Sequence, residues 1–160
     1  SYPVKKIFSR YQPTSTRGRT PPSPSRRIVE QCVVATREAS ATIEGDILVF
    51  LPGVGEIHQV ARELQSDAQR HGWQLLSLYG DMSPEDQDRV LAPSRHRKVI
   101  LSTNVAETSL TIENVRTVID SGSIDIEFID CYQARAMVNL IGQPARTLNL
   151  QNQTPSADCN

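Results

Sequence analysis

The apolar residues of this chain fall into short continuous runs separated by segments with helical spacing. The clearest run covers residues 46–51, which are apolar after Asp46 and are bounded by Gly45 and Pro52. A continuous run of this length is typical of a strand buried on both faces. The pattern predicts four further strands, over residues 2–8, 74–79, Lys98–Ser102 and Val115–Asp120.

Amphipathic segments between these runs predict helices. Residues 56–71 place apolar side chains at i, i+3, i+4 and i+7, and the segment ends at Gly72. Residues 26–40 also carry one apolar face. Ser83 followed by Pro84 predicts the capped start of a short helix that runs to Leu91. Residues 12–25 are rich in Pro, Ser, Thr and Arg and predict a loop.

The alternation of strands and helices predicts the α/β fold class, with a parallel sheet flanked by helices. In such sheets ligands bind at the carboxyl ends of the strands. The polar cluster Ser102, Thr103 and Asn104 directly follows one predicted strand, and Ser109 and Thr111 lie in the connection beyond it. Hydroxyls, an amide and loop N–H groups at this edge are suited to binding phosphate.

Composition and charge bear on the number of domains and on possible partners. With 160 residues, 38% of them hydrophobic, the chain is long enough for one compact domain. The formal net charge is −1, yet residues 1–45 hold eight Lys or Arg against three Glu. The basic residues of this region include Arg17, Arg19, Arg26 and Arg27. They are open to two interpretations, a solvated linker or an arm that contacts phosphates.

Signals for metal and membrane binding are missing from the pattern. The three cysteines and three histidines have no metal-ligand spacing, so no metal site is predicted. No segment approaches 18 apolar residues, and the amino terminus lacks the pattern of a signal peptide. We therefore expect no membrane partner and a cytoplasmic location.

Three blocks of sequence, at residues 45–57, 78–91 and 98–122, together resemble DEAH-box helicases, the superfamily 2 enzymes that couple ATP hydrolysis to translocation on RNA. Residues 98–113, KVILSTNVAETSLTIE, followed by VIDSG at 118–122, resemble motif V. Residues 45–57, GDILVFLPGVGEI, resemble motif IV and its flanks, most of all those of bacterial helicases of the HrpB-like type. Residues 78–91 resemble the segment between the two motifs. The blocks occur in the order of the family and cover about half of the chain.

The resemblance implies a second RecA-like domain, which is the helicase C-terminal domain, built on a parallel sheet flanked by helices. It divides the chain into an opening strand and basic loop at 1–25, the RecA-like domain at 26–122, and an atypical tail at 123–160 that is polar enough at its end to be disordered. The positions that correspond to RNA-backbone contacts of the family are Gly53, Thr103 and Asn104. Those that correspond to the nucleotide cleft are Ser109, Thr111 and Glu113.

Several motifs of the family are missing. The chain has neither a G-x-x-x-x-G-K-[ST] loop nor an Asp-Glu-Ala-His box, both of which belong to the first RecA-like domain. Residues 123–160 lack the Gln-Arg-x-Gly-Arg pattern of motif VI, which a shifted reading frame or a divergent tail would explain. No catalytic residue is therefore assigned, and the chain is expected to be a fragment that is inactive alone. ATP and Mg²⁺ would act in the parent enzyme, without binding tightly to this chain.

The expected partners are single-stranded RNA, bound through its backbone without sequence preference, and the missing first RecA-like domain. Two alternatives remain open. A stand-alone RNA- or partner-binding module would use the same groove without ATP. A Rossmann-type dinucleotide domain is suggested by Gly53 and Gly55 after a strand, although His58 stands where the third glycine of G-x-G-x-x-G belongs.

Overall fold

The computed structural model describes residues 5–8, 18, 20, 22–103, 114–121 and 136–139. Among the helices of these residues, none is both long enough and apolar enough to cross a membrane. The elements follow one another as β1 (Lys5–Phe8), α1 (Pro24–Thr42), β2 (Asp46–Phe50), α2 (Val54–His71), β3 (Gln74–Leu78), α3 (Pro84–Leu91), β4 (Lys98–Ser102), β5 (Val115–Asp120) and β6 (Ala136–Asn139).

The strands form one sheet in the order β1-β6-β5-β2-β4-β3, and every neighbouring pair is parallel. β2 lies between β5 and β4, and both β2 and β4 are buried at each of their five positions. A strand that is covered on both faces has no solvent-facing side chains, which explains the continuous apolar run in the sequence. The predicted parallel α/β architecture is confirmed.

The predicted bounds of α3, β4 and β5 agree with the structure, whereas α1 and α2 each begin two residues earlier than predicted. α1 begins at Pro24 because Ser23 caps it: the Ser23 hydroxyl accepts a hydrogen bond from the Arg26 N–H at 3.2 Å. α2 begins directly after Gly53, which is its N-cap. The periodic apolar residues used for the prediction start only after the first turn, so the capped turn itself was missed.

β6 was not predicted from the sequence. Its four residues lie between β1 and β5 in the sheet, within the region 123–160 that was interpreted as an atypical tail. The register pairs Val118 with Met137 on one side and Lys6 with Met137 on the other. So short a strand depends on pairing with strands distant in sequence, and its own residues carry little local signal.

One face of the sheet is covered by α1 and α2. Buried residues of the two helices and alternate residues of the strands form a single apolar cluster, which includes Val29, Cys32, Val33, Ile47, Val49, Ile57, Val60, Leu64, Val99, Leu101 and Ile119. The intervening strand residues Leu48, Phe50 and Ile100 are also fully buried and face the opposite side, where α3 contacts β3. Each fully buried aliphatic side chain contributes roughly 1.5–3 kcal/mol.

Two successive basic residues join the helices to the sheet. Arg97 donates hydrogen bonds to the backbone carbonyls of Ser40 and Ile43, at the end of α1. Lys98 is only 4% exposed, and its Nζ donates to the carbonyls of Val90 at 3.0 Å and Ala92 at 2.9 Å, at the end of α3. Cations at these positions satisfy carbonyls that have no partner within the helix and oppose the negative end of its dipole.

An ion pair joins α1 to α2. The Arg37 guanidinium donates two hydrogen bonds to Oδ2 of Asp67, at 3.0 and 3.1 Å. The Asp67 carboxylate is largely buried, whereas the Arg37 side chain is half exposed. Losing Arg37 would leave Asp67 without this partner in the interface between the two helices.

Gly45, in the corner before β2, should tolerate substitution by alanine less well than Gly72, which follows α2. Gly45 has φ +91°, and a Cβ there would lie 2.6 Å from Cγ of Arg116. Gly72 also has a positive φ, +69°, but a Cβ there would meet no atom within 4 Å. We expect Gly72→Ala to lower the free energy of unfolding by about 1 kcal/mol and Gly45→Ala by about 2–4 kcal/mol, because only the second substitution adds a clash. Urea denaturation followed by circular dichroism measures both values.

Gly55 provides the matched control. It lies in the first turn of α2, and a Cβ there would contact no atom within 4 Å. Gly55→Ala should raise the free energy of unfolding by up to about 1 kcal/mol, because alanine has the higher helix propensity. Equal losses for Gly45→Ala and Gly72→Ala would show that the Arg116 side chain moves aside at no cost.

Candidate functional site

The carboxyl ends of the strands form one edge of the sheet, where the chain leaves β2, β3, β4 and β5. Backbone hydrogen bonds continue across this edge beyond the strands. The Leu51 N–H donates to the Ser102 carbonyl at 2.8 Å, and the Thr103 N–H donates to the Leu78 carbonyl at 3.2 Å. The first residues after β2 and β4 are therefore held in register, side by side, at the edge where ligands of parallel sheets bind.

Gly53 lies at this edge as the N-cap of α2. Its φ of −161° and ψ of 175° are extended and accessible to any residue, so its conformation does not require glycine. What glycine provides is space, since a Cβ would lie 3.2 Å from Oε2 of Glu56. No side chain caps the helix at this position, and the first-turn N–H groups carry the positive end of the helix dipole. The arrangement suits the close approach of an anion.

Thr103 follows β4, the strand next to β2, and is half buried. Its N–H is bonded to Leu78, and its carbonyl accepts a hydrogen bond from the Ser102 hydroxyl at 2.7 Å. Its own hydroxyl makes no hydrogen bond to another residue that the structure describes. Thr103 is thus fixed by its backbone, and its side chain is available for a ligand.

The structure brings together two of the predicted site residues, Gly53 and Thr103, at the ends of adjacent strands. The other predicted site residues, Asn104, Ser109, Thr111 and Glu113, lie outside the described residues. Their assignment to RNA or nucleotide contacts stays a prediction.

Sequence reasoning missed a polar contact beside Gly53. The Glu56 Oε1 accepts a hydrogen bond from the Ser25 hydroxyl at 2.8 Å, which joins the first turns of α1 and α2. Glu56 therefore places a negative charge at the same helix end that favours an anion. The acidic residue three positions after Gly53 is a known helix-start signal and could have been recognised. Its partner could not, because Ser25 is 31 residues away and was placed in a loop.

Asp120, the last residue of β5, and Ser121, which follows it, lie at the same edge, and both are almost fully buried. Burial raises the pKa of the Cys32 thiol far above its usual value, and the negative charge of Asp120 adds to this effect. The Ser121 hydroxyl is buried without a hydrogen-bond partner among the described residues. The Cys32 thiol beneath this edge is therefore neutral.

Arg26 is the basic residue of the amino-terminal region whose surroundings the structure shows most fully. It lies in the first turn of α1, pairs with Glu30 at 3.0 Å and also contacts Glu63 of α2. The hydrogen bond to Glu63 raises the pKa of Arg26. This residue therefore belongs to a helix and joins α1 to α2 rather than lying in a linker, and its contact with phosphates stays a prediction. Within the described ranges, no three His, Cys, Asp or Glu side chains are grouped to hold a metal ion.

The surroundings of Cys32 predict an unreactive thiol. In a variant with Cys131→Ser and Cys159→Ser, we expect iodoacetamide to modify Cys32 at least about 100-fold more slowly in the native chain than in urea. Adding Val34→Cys to the same variant gives the control, because Val34 is the exposed neighbour on α1. Its thiol should react rapidly in the folded protein. Equal rates for Cys32 in native and unfolded chains would contradict its burial.

Comparison with known proteins agrees with this geometry. The model of the helicase conserved C-terminal domain matches residues 26–146. The ATP-dependent RNA helicase HrpB of Escherichia coli is 46% identical over 99 residues, which are 59% of this chain and 12% of that protein. The ATP-dependent RNA helicase HrpA of Borreliella burgdorferi is 37% identical over 126 residues, 78% of this chain and 14% of that protein.

Solved structures lead to the same family. A crystal structure of the E. coli DExH-box NTPase HrpB superposes with a TM-score of 0.63 at 29% identity, covering 89% of this chain and 20% of that one. A second, of the E. coli DEAH/RHA helicase HrpB, gives a TM-score of 0.64 at 28% identity, covering 93% and 22%. The chain spans less than a quarter of the length of each of these proteins. It belongs to the family of helicase C-terminal domains, and within that family to the second RecA-like domains of the DEAH-box type.

Proposed function

We propose that this chain binds the backbone of single-stranded RNA at the carboxyl edge of its sheet and forms one wall of the ATP cleft of a DEAH-box RNA helicase. In the complete enzyme it would couple ATP hydrolysis to movement along RNA. The observation that carries the proposal is the position of Gly53 and Thr103 at the ends of adjacent strands. Two of the three residues named for RNA contact thus lie at one edge of the sheet although 50 positions separate them in the sequence.

The chemistry of this edge favours a phosphate backbone over bases. Gly53 leaves room beside the first turn of α2, and Thr103 supplies a hydroxyl held by a bonded backbone. Such groups bind phosphate or ribose oxygens, which are the same in every nucleotide. Binding would therefore tolerate any sequence and weaken as salt rises. The carboxylate of Glu56 would limit the affinity, because it lies beside the same helix end.

The nucleotide side of the proposal rests on the family resemblance of Ser109, Thr111 and Glu113. The described residues form no cluster that would hold Mg²⁺, and the sequence has no P-loop lysine to contact the triphosphate. A partner domain with these groups would therefore hold ATP and Mg²⁺, and this chain would complete the cleft. Its contribution would be to position groups against the bound nucleotide.

RNA binding is tested with a fluorescein-labelled single-stranded RNA and fluorescence anisotropy, at about 50 and about 200 mM salt. We expect saturable binding that weakens at the higher salt and falls about five- to tenfold in the double variant Thr103→Ala/Asn104→Ala, since two backbone contacts are lost. Gly53→Ala should also weaken binding, while lowering the free energy of unfolding by no more than about 1 kcal/mol, because its extended backbone is accessible to alanine but alanine is the poorer N-cap.

Thr42→Ala is the matched control for this measurement. Thr42 is an exposed threonine at the end of α1, and its hydroxyl donates to the Glu38 carbonyl rather than facing the carboxyl edge. The RNA affinity of the Thr42→Ala variant should equal that of the unsubstituted chain. A folded chain that binds no RNA at either salt concentration, or binds equally well after the double substitution, would refute the RNA site.

ATP hydrolysis by this chain alone should not exceed the buffer background, with or without RNA, because its sequence lacks the P-loop and the Asp-Glu-Ala-His box. A coupled assay for released phosphate measures the rate. The variant Thr111→Ala/Glu113→Ala distinguishes a contaminant from the chain itself. Activity that disappears in this variant would show that the chain hydrolyses ATP alone, and would contradict the proposed division of roles.

A further inference from the structure

Asp46 stands at the opposite edge of the sheet from Gly53 and Thr103, as the first residue of β2, and is 4% exposed. Its Oδ1 accepts a hydrogen bond from the Lys98 N–H, the first residue of β4, at 2.8 Å. Its own N–H donates to the Asn114 carbonyl at 3.1 Å, and the side chain of Asn114 also hydrogen-bonds to the carboxylate. One residue therefore contacts both the strand that leads into motif V and the point where the chain returns from it.

The residue at which the chain returns from motif V, Asn114, has an unusual backbone conformation. Asn114 has φ 65°, and among the described residues it is the only one other than glycine in the left-handed region. Asparagine tolerates this conformation better than most residues, at a modest cost. The pairing of β2 with β5 shifts in register directly beyond it, between Asp46 and Ile47. The hydrogen bonds of Asp46 thus hold a corner whose backbone geometry is not the locally preferred one.

The carboxylate of Asp46 is held by hydrogen bonds to N–H groups rather than by direct pairing with a neighbouring cation. Burial raises the pKa of Asp46, whereas the Lys98 N–H, the Asn114 side chain and the charges of Lys98 and Arg97 oppose that increase. The Lys98 ammonium itself is bonded to the carbonyls of α3. Because hydrogen bonds depend on direction, they determine position more closely than an exposed ion pair would.

We propose that Asp46 is a positioning residue for motif V, which holds β4 and Asn114 in fixed places so that Thr103 stays in register with the end of β2. This inference deepens the proposed function and rests on it. β4 has five residues, and Thr103 follows it directly. A slip of one residue between β4 and β2 would move Thr103 by about 3.3 Å and turn alternate side chains to the other face. The Lys98 N–H bond to Asp46 opposes that slip at the start of β4.

Three substitutions separate positioning from general stability. Asp46→Ala removes every contact of the carboxylate. Asn114→Gly keeps the left-handed backbone accessible but removes the side-chain bond to Asp46. Asp46→Asn retains an oxygen that can accept from the Lys98 N–H and an amide that can bond to Asn114. The matched control is Asp67→Ala, because Asp67 is another buried aspartate, 8% exposed, whose ion-pair partner Arg37 lies on α1, away from β4 and Asn114.

Hydrogen exchange followed by mass spectrometry gives the first readout, on peptides that cover residues 98–103 and 114–120. We expect amide exchange there to be at least about tenfold faster in Asp46→Ala and severalfold faster in Asn114→Gly than in the unsubstituted chain. Asp46→Asn should stay close to the unsubstituted rate. Asp67→Ala should accelerate exchange in α1 and α2 without affecting these peptides. Faster exchange of the same peptides in Asp67→Ala, or no change in Asp46→Ala, would overturn the proposal.

The second readout is RNA affinity, measured as above at a temperature where all variants remain folded. Asp46→Ala and Asn114→Gly should bind about threefold or more weakly, whereas Asp46→Asn and Asp67→Ala should bind as the unsubstituted chain does. If the unsubstituted chain binds RNA and Asp46→Ala binds equally well, Asp46 does not position motif V. If the unsubstituted chain binds no RNA, the proposed function fails, and hydrogen exchange alone decides whether Asp46 holds the two strands.

Discussion

The domain is organised around the parallel pairing of β2 with β4, two strands that are buried at every position. Parallel strands start at the same edge of a sheet, so each connection must carry the chain back across one face before the next strand can begin. Every strand end and the start of α2 therefore lie at one edge. This constraint, more than any individual side chain, brings Gly53 and Thr103 to the same edge.

The polar and charged groups at the two edges of the sheet have different surroundings. At the carboxyl edge, the Thr103 hydroxyl and the start of α2 suit a ligand, and Glu56 restrains how strongly an anion is attracted. At the amino edge, charged groups are buried and satisfied mainly by the backbone. Asp46 accepts from an N–H group, and Lys98 donates to carbonyls. Burying a charge that is hydrogen-bonded in this way costs less free energy than burying an unpaired one. The hydrogen bonds also fix the position of the strand that provides the partner.

The sequence was informative wherever the signal is local. Ser83 and Pro84 define the start of α3, and the continuous apolar runs locate β2, β4 and β5, because burial on both faces leaves no other pattern. β6 was missed, since four residues gain their strand character from β1 and β5 rather than from themselves. Resemblance to a family predicts a common site for Gly53 and Thr103, and the structure places both at one edge of the sheet. Contacts between distant residues could not be read in this way: Ser25 with Glu56 spans 31 positions, and Asp46 with Lys98 spans 52.

The adjacent residues Arg97 and Lys98 attach both helical layers to the beginning of a single strand. Their side chains leave on opposite sides, so Arg97 reaches the end of α1 and Lys98 reaches the end of α3. The start of β4 is therefore the point at which both helical layers are attached to the sheet. One residue inserted between Arg97 and Lys98 would reverse this alternation and direct one of the two cations to the wrong layer.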